Sequence, residues 1–529
     1  MKRKLLALCM ALTLSVGAFA GCTTEDDVVA SDALPQERLV DGVNVGGMMT
    51  MVVRAEPISL NPNGIYDPNF GIMAHNIFNR LVKMNARQQV VLDLATGYQV
   101  SSDGLEYTFF LHENVYFHDG VRMTSDDVRF TFEEILRQEG QASFALSSID
   151  SIETPDDYTV VFRTSYVDAS FLHNLAFQGT HILPRHIYEG QDWLGADAMQ
   201  YPVGTGPFMW GEWERGVRIV ANRNPNFYRG PELPYLDGII WGFNSDPTTA
   251  THAFVAGQFD VLAVFTSAFY NQLRNDPNID MQVNIFPSRF MVAFNMTEAP
   301  FDDINMRMAV SYALNNDELM AIALREVGLE ARHFLSPLFD WAVNDNVTLP
   351  GFDLDLAREY MAAAGHESLS ITVDTPSHAP FPYLAEVFRS QMAALNIDVS
   401  INILEWASFD ERVIQNHNFQ IAITSDFQGP EVSAIAQSIA TDGFLNFTGF
   451  YNPEIDELLE AALQVVTFED RARYYHRVQE IMREHMPFYI ISEWVGYYPH
   501  WAFVRNHPGS PDAVERTGWA EFTYVWFDR

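Results

Sequence analysis

The sequence predicts an α/β fold that comprises more than one domain. Residues 371–373, 384–395 and 397–404 read in turn as a strand, an amphipathic helix and an alternating strand, which together make a right-handed crossover unit. Residues 104–136 read as strand, turn, strand, turn and helix. A chain of 529 residues is long enough for two or three domains, each with its own core.

The first residues have the pattern of an export signal. Basic residues at positions 2–4 precede an apolar run over residues 5–19, which is too short for a permanent membrane-spanning helix, so we assign residues 1–21 to a signal peptide. The small residues before Cys22 resemble a lipobox, in which this cysteine becomes the lipidated first residue of the mature chain. Phe19 stands where an aliphatic residue is usual, so the alternative is ordinary signal-peptidase cleavage, which would release the protein.

Composition restricts the partners of the mature chain. Residues 22–45 are acidic and polar and predict a flexible tether between the lipid anchor and the fold. The formal charge is −37, and it becomes −40 when the leader with its three basic residues is removed. Such a surface repels nucleic acids, so we expect no nucleic-acid partner. Cysteine occurs only at positions 9 and 22, so we expect no internal disulfide in the mature chain.

The hydrophobic periods place the remaining elements in order. Helices are expected at residues 72–81, 125–136, 384–395 and 473–485, and strands at residues 50–54, 107–111, 115–117, 158–162, 371–373, 397–404, 421–424 and 486–491. Thr124 and Asp127 form a near relative of a capping box at the start of the second helix. We expect His118 and Asp119 to serve as cap or turn residues. The glycines of residues 202–208 are expected to permit positive φ and close backbone approach.

Several segments resemble the signature of the extracellular solute-binding proteins that serve peptide, dipeptide and nickel ABC importers. The longest is YTFFLHENVYFHDGVRMTSDDVRFTF at residues 107–132. Others lie along nearly the whole mature chain: EPISLNP at 56–62, NIF at 76–78, THILP at 180–184, PVGTGPF at 202–208, RNPNFYRG at 223–230 and NPEIDELL at 452–459. These segments identify the family without supplying a site.

The resemblance implies a two-lobed clamp of the type II periplasmic-binding-protein kind, with an extra subdomain inserted in lobe I. Two crossing strands would join the lobes, and a ligand would be enclosed as the lobes rotate together. The implied bounds are residues 46–78, 205–284 and 495–529 for lobe I, residues 79–204 for its inserted subdomain, and residues 285–494 for lobe II.

The resemblance also implies a function. The chain would be a monomeric substrate-binding lipoprotein that captures extracellular peptides and delivers them to the membrane subunits of an ABC permease, with no cofactor and no bound metal. Asp426 falls where peptide-binding members have the aspartate that pairs with the ligand's α-ammonium, a strong charge-assisted contact. The alternative for Asp426 is a cap at the end of a strand.

Other expected ligand contacts surround Asp426. Trp406 matches an aromatic residue that flanks the peptide, and the backbone of Thr424 and Ser425 would pair with an extended peptide as an added strand does. Tyr66 and Asp67 align with a loop that contacts the ligand backbone.

A partner for the ligand's carboxylate is harder to identify. The arginine that dipeptide binders place upstream of the matching helix has no counterpart, because residues 375–380 offer only His378. Arg289 and Arg412 are the candidates, with a surface salt bridge as the alternative role of each. We therefore expect a ligand longer than a dipeptide, or one whose carboxylate is not its main point of attachment.

Other functions were weighed against peptide binding. A secreted hydrolase is the remote alternative, because the sequence contains no HExxH, GxSxG or CxxC motif. Oligosaccharides and nickel chelates are the nearer alternatives. An aromatic content of 13% would suit sugar stacking, and the 15 histidines are scattered along the chain. Asp426 favours a peptide.

Overall fold

The computed structural model describes residues 42–529 apart from 65–66, 86–88, 194–200, 264–266, 282, 325–327, 430, 466, 509 and 511–519. The expected signal peptide, Cys22, most of the tether and Tyr66 lie outside the described residues.

The strands, in chain order, are β1 (Met48–Val53), β2 (Val82–Met84), β3 (Val90–Leu92), β4 (Ala95–Val100), β5 (Glu106–Leu111), β6 (Ile149–Asp156), β7 (Thr159–Thr164), β8 (Phe208–Glu214), β9 (Arg218–Arg223), β10 (Gly238–Phe243), β11 (Val261–Leu262), β12 (Ile279–Asp280), β13 (Val283–Phe294), β14 (Leu329–Glu330), β15 (Leu369–Pro376), β16 (Ile397–Leu404), β17 (Ile421–Phe427), β18 (Phe488–Tyr497), β19 (His500–Trp501), β20 (Val504–Arg505) and β21 (Trp526–Phe527).

The α-helices are α1 (Pro68–Ile77), α2 (Ser125–Arg137), α3 (Phe171–Ala176), α4 (Arg185–Tyr188), α5 (Pro247–Val255), α6 (Tyr270–Arg274), α7 (Ile304–Ala313), α8 (Asn316–Glu318), α9 (Leu354–Ala363), α10 (Phe381–Met392), α11 (Trp406–Phe409), α12 (Ala436–Ile439), α13 (Pro453–Leu463) and α14 (Phe468–His485).

The described part of the chain has three sheets of four or more strands, together with the two-stranded sheets β2-β3 and β20-β21. A seven-stranded sheet has the order β12-β19-β11-β1-β10-β9-β8, a six-stranded sheet has the order β14-β18-β13-β17-β15-β16, and a four-stranded sheet has the order β4-β5-β7-β6. We call the parts built on these sheets lobe I, lobe II and the subdomain. Lobe I and the subdomain share one hydrophobic core, whereas lobe II has its own. The exact domain boundaries stay predictions.

Two strands connect the seven-stranded and six-stranded sheets. β12 and β19 belong to lobe I, and β13 and β18, their neighbours along the chain, belong to lobe II. β13 and β18 pair antiparallel from Val283–Tyr497 to Ala293–Phe488, with an irregular register between Ile285 and Arg289. The chain therefore passes between the lobes twice through this strand pair.

The predicted crossover unit is confirmed. β15 and β16 are parallel over their whole length, and α10 connects them. β17 also runs parallel to β15. The carboxyl ends of these three strands therefore meet at one edge of the lobe II sheet, which is where open α/β sheets bind ligands.

The predicted capping box is present, but two other element predictions were wrong. Asp127 accepts a hydrogen bond from the backbone N–H of Thr124 at 2.9 Å, where α2 begins. The helix predicted at 72–81 is α1, which begins and ends four residues earlier, at Pro68 and Ile77, because Asp67 caps its first turn. Residues 115–117 form only an isolated bridge between Tyr116 and Arg122.

The glycines of residues 202–208 permit close packing rather than positive φ, so half of that prediction was wrong. Gly204 and Gly206 are not among the residues with positive φ. A Cβ on Gly204 would lie 2.1 Å from the carbonyl oxygen of Ile77. His118 holds the same loop, because its ring nitrogens lie 3.3 Å from the N–H of Gly204 and 3.0 Å from the carbonyl oxygen of Gly206. Burial lowers the pKa of His118 to about 4, so its imidazole ring is uncharged at neutral pH.

Candidate ligand-binding site

Residues predicted to bind ligand gather at the carboxyl edge of the lobe II sheet. Asp426 is near the end of β17, and Trp406 follows the end of β16. His378 follows the end of β15. Because these strands are parallel, turns and side chains from three separate stretches of sequence meet at one edge. The fold therefore brings Asp426, Thr424, Ser425 and Trp406 together.

The ladder between β17 and β15 ends before it reaches Asp426. β13 pairs with β17 up to Phe427, but β15 pairs with it only at Ile421 and Ala422. The hydroxyl of Thr375 donates to the carbonyl oxygen of Ile423 at 2.9 Å, which is where β15 leaves β17. The backbone of residues 424–426 is thus paired with β13 on one side. On the other side it lies beyond the last residue of β17 that pairs with β15.

Asp426 is bound by a buried arginine. Arg289 is fully buried and lies opposite Asp426 in the β13–β17 ladder. Its Nη2 donates to one carboxylate oxygen of Asp426 at 2.5 Å, and its Nε and backbone N–H donate to the other at 3.4 and 3.0 Å. Nη1 of Arg289 donates to the carbonyl oxygen of Phe334. Arg289 is therefore a buried structural partner of Asp426.

A second carboxylate, which the sequence analysis did not single out, completes this cluster. Glu493 of β18 lies opposite Arg289 on its other side and is also buried. Burial raises the pKa of Glu493 to about 7, Arg289 opposes the rise, and Asp426 adds to it. Oε2 of Glu493 has no hydrogen-bond partner among the described residues. The sequence does contain one sign of Glu493, since it is the only charged residue in the otherwise largely apolar strand FYIISEWVGY.

This Arg289 cluster, Arg289 with Asp426 and Glu493, carries a charge imbalance. One guanidinium faces two carboxylates, so the fully ionised cluster has a net charge of −1. An excess negative charge is costly in a buried site because it is removed from water. The pKa of Glu493 is therefore raised, which favours its uncharged form. A further cation at this edge would stabilise the ionised form of both carboxylates.

Trp406 offers an exposed aromatic face at the same edge of the sheet, where its ring neighbours are His378 and Phe409. Its side chain is 52% exposed although its ring stacks on Phe409, with the ring centroids 5.7 Å apart. The ring of His378 lies 6.3 Å from it. Large exposed aromatic rings next to polar groups are typical of ligand-contact surfaces.

The remaining predicted site residues have structural partners. Nε of Arg412 donates to Asp374 at 2.9 Å, which is the salt-bridge alternative for this residue. Asp67 caps α1, and its carboxylate accepts the backbone N–H groups of Ile58, Ser59, Asn69 and Phe70. Arg289 and Arg412 are therefore both bound to protein carboxylates, and their predicted role toward a ligand stays a prediction.

Two ring contacts join the subdomain to lobe II. The ring centroids of Phe144 and Phe444 are 6.1 Å apart, and those of His173 and Phe468 are 6.2 Å apart. Phe144 is 70% exposed and Phe444 is 63% exposed in spite of this contact. The two parts of the chain thus touch through side chains that contribute little to either core.

The described part of the chain shows neither a cluster of metal-ligating side chains nor a membrane-spanning helix. It contains no group of three or more histidine, cysteine, aspartate or glutamate side chains placed to hold a metal ion. None of its helices combines the length and apolar character needed to cross a membrane.

Comparison with known proteins agrees with the geometry. The family model described as the middle part of bacterial extracellular solute-binding proteins, family 5, matches residues 89–439. Di/tripeptide-binding protein 1 of Pseudomonas aeruginosa is 26% identical over 478 residues, which cover 84% of this chain and 88% of that protein. Oligopeptide-binding protein AppA of Bacillus subtilis is 25% identical over 539 residues, which cover 97% of this chain and 95% of that protein.

A solved structure supports the same fold. The periplasmic binding protein DppA of Helicobacter pylori, in complex with the peptide STSA, matches with a TM-score of 0.75 at 24% identity. The match covers 92% of this chain and 99% of that one. The predicted type II clamp fold is confirmed. The chain belongs to the bacterial extracellular solute-binding proteins of family 5.

Proposed function

We propose that this protein is the substrate-binding component of an ABC importer and that it captures extracellular peptides with a free amino terminus. The names of the relatives support a peptide ligand, since they include a di/tripeptide-binding and an oligopeptide-binding protein. The observation that carries the proposal is the Arg289 cluster, where Asp426 pairs with the only guanidinium of the cluster and buried Glu493 lies opposite Arg289 on the neighbouring strand. An α-ammonium group supplies the missing positive charge.

The geometry of β17 supports an extended peptide at this position. The ladder with β15 ends at Ala422, so the backbone of residues 424–426 is available to pair with a peptide backbone. A peptide that pairs there brings its first residue to Asp426. Trp406 would then cover the neighbouring ligand residues with its exposed ring. Backbone pairing is independent of sequence, so this arrangement accommodates different side chains.

Capture would close the clamp around the strand pair β13–β18. Arg289 and Glu493 lie on these two strands, next to the irregular register where the chain leaves lobe II. A ligand favours closure only through contacts that the open form lacks. In this proposal the monomeric protein, lipid-anchored through Cys22 to the outer face of the membrane, delivers the enclosed peptide to the permease subunits. It needs no cofactor and catalyses no reaction.

The test compares Asp426→Asn with the wild type in the mature protein. Calorimetry would measure binding of tetra-alanine and of the same peptide with an acetylated amino terminus. We expect tetra-alanine to bind the wild type at least about tenfold more tightly than the acetylated peptide, since a buried charge-assisted bond is worth about 1.5–3 kcal/mol. Asp426→Asn should remove that difference. Loss of the Asp426 charge should lower the pKa of Glu493, so that Glu493 ionises more readily near Arg289 and keeps the variant folded.

Asp374→Asn is the matched control. Asp374 is a buried aspartate in the same sheet, and its partner is Arg412. This variant should retain the preference for a free amino terminus. The proposal fails if Asp426→Asn binds both peptides as the wild type does. It also fails if cello-oligosaccharides or nickel with histidine stabilise the protein against heat and peptides do not.

A further inference from the structure

A small pocket lies between α1, the loop at residues 61–62 and the subdomain. It has a free volume of about 20 Å³, which is room for a small polar group. Its polar lining includes Arg80, His75, His181, Gln141 and Gln178. Phe70, Gly71 and Ala74 of α1 form part of its remaining wall.

Arg80 points an unused edge of its guanidinium group into this pocket. The residue is only 4% exposed, and its Nε and Nη2 have no hydrogen-bond partner among the described residues. These two nitrogens share the edge that binds a carboxylate with two parallel hydrogen bonds. Arg289 uses the same edge for Asp426 in lobe II. The remaining nitrogen, Nη1, lies 3.3 Å from Nδ1 of His75 and donates to it, because arginine has no acceptor.

His181 adds a second donor without a partner. It is 3% exposed, and neither ring nitrogen has a hydrogen-bond partner among the described residues. Its backbone is held on both sides by Asn63, which accepts from the N–H at 2.9 Å and donates to the carbonyl oxygen at 2.7 Å. The ring lies 5.9 Å from that of His75. Two buried groups with unused hydrogen-bonding capacity therefore line one pocket.

The surrounding charges leave Arg80 without a carboxylate of its own. Asp93 and Glu521 lie near it, but Lys83 and Arg229 both pair with them. This buried group thus contains three cations and two anions. Asp67 also lines the pocket, and its carboxylate is used by four backbone N–H groups at the start of α1. Burial lowers the pKa of Arg80 only to about 10, so Arg80 stays charged at neutral pH.

Two residues of the pocket lining belong to stretches of the subdomain that also contact lobe II. Gln141 is three residues from Phe144, which contacts Phe444 of lobe II. Gln178 is five residues from His173, which contacts Phe468 of lobe II. The same two stretches of the subdomain therefore contribute both to the pocket and to the contact with lobe II.

We propose that this pocket is a carboxylate-binding site. Nε and Nη2 of Arg80 donate to the two carboxylate oxygens, and a ring N–H of His181 donates to one of them. The carboxylate belongs to the end of a captured peptide or to a small free acid such as acetate. The peptide source rests on the function proposed above. In that case the ligand's two charged ends are bound by different lobes, and only a closed clamp binds both.

The experiment uses the mature wild-type protein, Arg80→Gln, His181→Ala and, as a control, Arg223→Gln, at an arginine of β9 that donates to the carbonyl oxygen of Pro231. Calorimetry would measure tetra-alanine and its carboxyl-terminal amide, and thermal unfolding would be followed with sodium acetate and with sodium chloride. If a peptide supplies the carboxylate, the wild type and Arg223→Gln bind the acid at least about tenfold more tightly than the amide. Arg80→Gln and His181→Ala then bind both peptides with similar affinity.

The other outcomes separate the two proposals. Acetate, and not chloride, should raise the unfolding temperature of the wild type if a free acid supplies the carboxylate, and Arg80→Gln or His181→Ala should lose this effect. That result supports the pocket proposal even if no peptide binds. The pocket proposal is overturned if the wild type binds acid and amide equally and acetate acts no differently from chloride. That result leaves the proposed function intact when peptides still bind. His181→Ala decides the matter if Arg80→Gln does not fold.

Discussion

At the scale of single residues, the Arg289 cluster links stability to pH. The pKa of Glu493 is raised to about 7 in the folded protein, chiefly by burial, from an ordinary value near 4.5. Between these two values the folded state binds a proton that the unfolded state does not. The contribution of the protonated carboxyl to stability is therefore complete below about pH 4.5 and is lost as the pH rises through 7.

Glu493→Gln removes this ionisation. We expect the stability of the variant relative to the wild type to increase by about 2 kcal/mol between pH 5 and pH 8, because a tenfold change in proton affinity is worth about 1.4 kcal/mol. Urea unfolding of the ligand-free protein at both pH values measures this difference. Glu330→Gln, at an exposed position of the neighbouring strand β14, should show no such trend. Parallel pH profiles for wild type and Glu493→Gln would contradict the assignment.

The sequence also shows why these residues were only partly predictable. Asp426 stood out through the family resemblance, but its partner Arg289 lies 137 positions away and is brought to it by strand register. Register depends on the packing of the whole sheet, so a single sequence does not reveal it. Arg80 and His181 were missed for the same reason, because only the folded chain shows that they line one pocket.

At the scale of elements, the spacing of apolar residues predicted those strands and helices that bury one face. The alternation at residues 397–404 and the helix beginning near residue 384 reflect a sheet with one helix packed on it, and β15, α10 and β16 have that arrangement. The run at 115–117 was misjudged because a short apolar stretch is equally compatible with an isolated bridge. The early start of α1 depends on Asp67, whose capping role was not anticipated.

The contact between the loop at 202–208 and α1 is the most demanding of these packing arrangements. Gly204→Ala would place a methyl group 2.1 Å from the carbonyl oxygen of Ile77, so the loop or the helix end must move. We expect a loss of about 3 kcal/mol in the free energy of unfolding, the upper end of the cost of overpacking. Gly97→Ala, in β4 with open space around its Cβ position, should change it by less than about 1 kcal/mol. Equal effects in urea unfolding would refute this account.

At the scale of the whole molecule, lobe II and the subdomain have separate cores and meet through exposed aromatic rings. Such a contact affects the balance between open and closed forms more than the stability of either part. The charge of −37 spread over the chain opposes close approach of its parts, so attractive contacts between them matter for closure.

Phe444→Ala tests this view. Loss of one aromatic pair, worth about 0.5–1.5 kcal/mol, should lower the closed population about twofold to twelvefold. Small-angle X-ray scattering of the ligand-free protein should then give a larger radius of gyration. The unfolding temperature should hardly change, because the side chain is 63% exposed. Phe352→Ala, an exposed phenylalanine elsewhere in lobe II, should leave the radius unchanged. An unchanged radius in Phe444→Ala would rule out a role of this ring pair in closure.

The position of Phe144 opposite Phe444 also has a practical consequence. Both side chains are exposed, and their rings face each other at 6.1 Å. The chain has no cysteine after residue 22. Cysteines introduced at these two positions would therefore be selective attachment points for a pair of fluorescent dyes. The dyes would turn the protein into an optical sensor whose signal follows the gap between the lobes, whatever solute fills it.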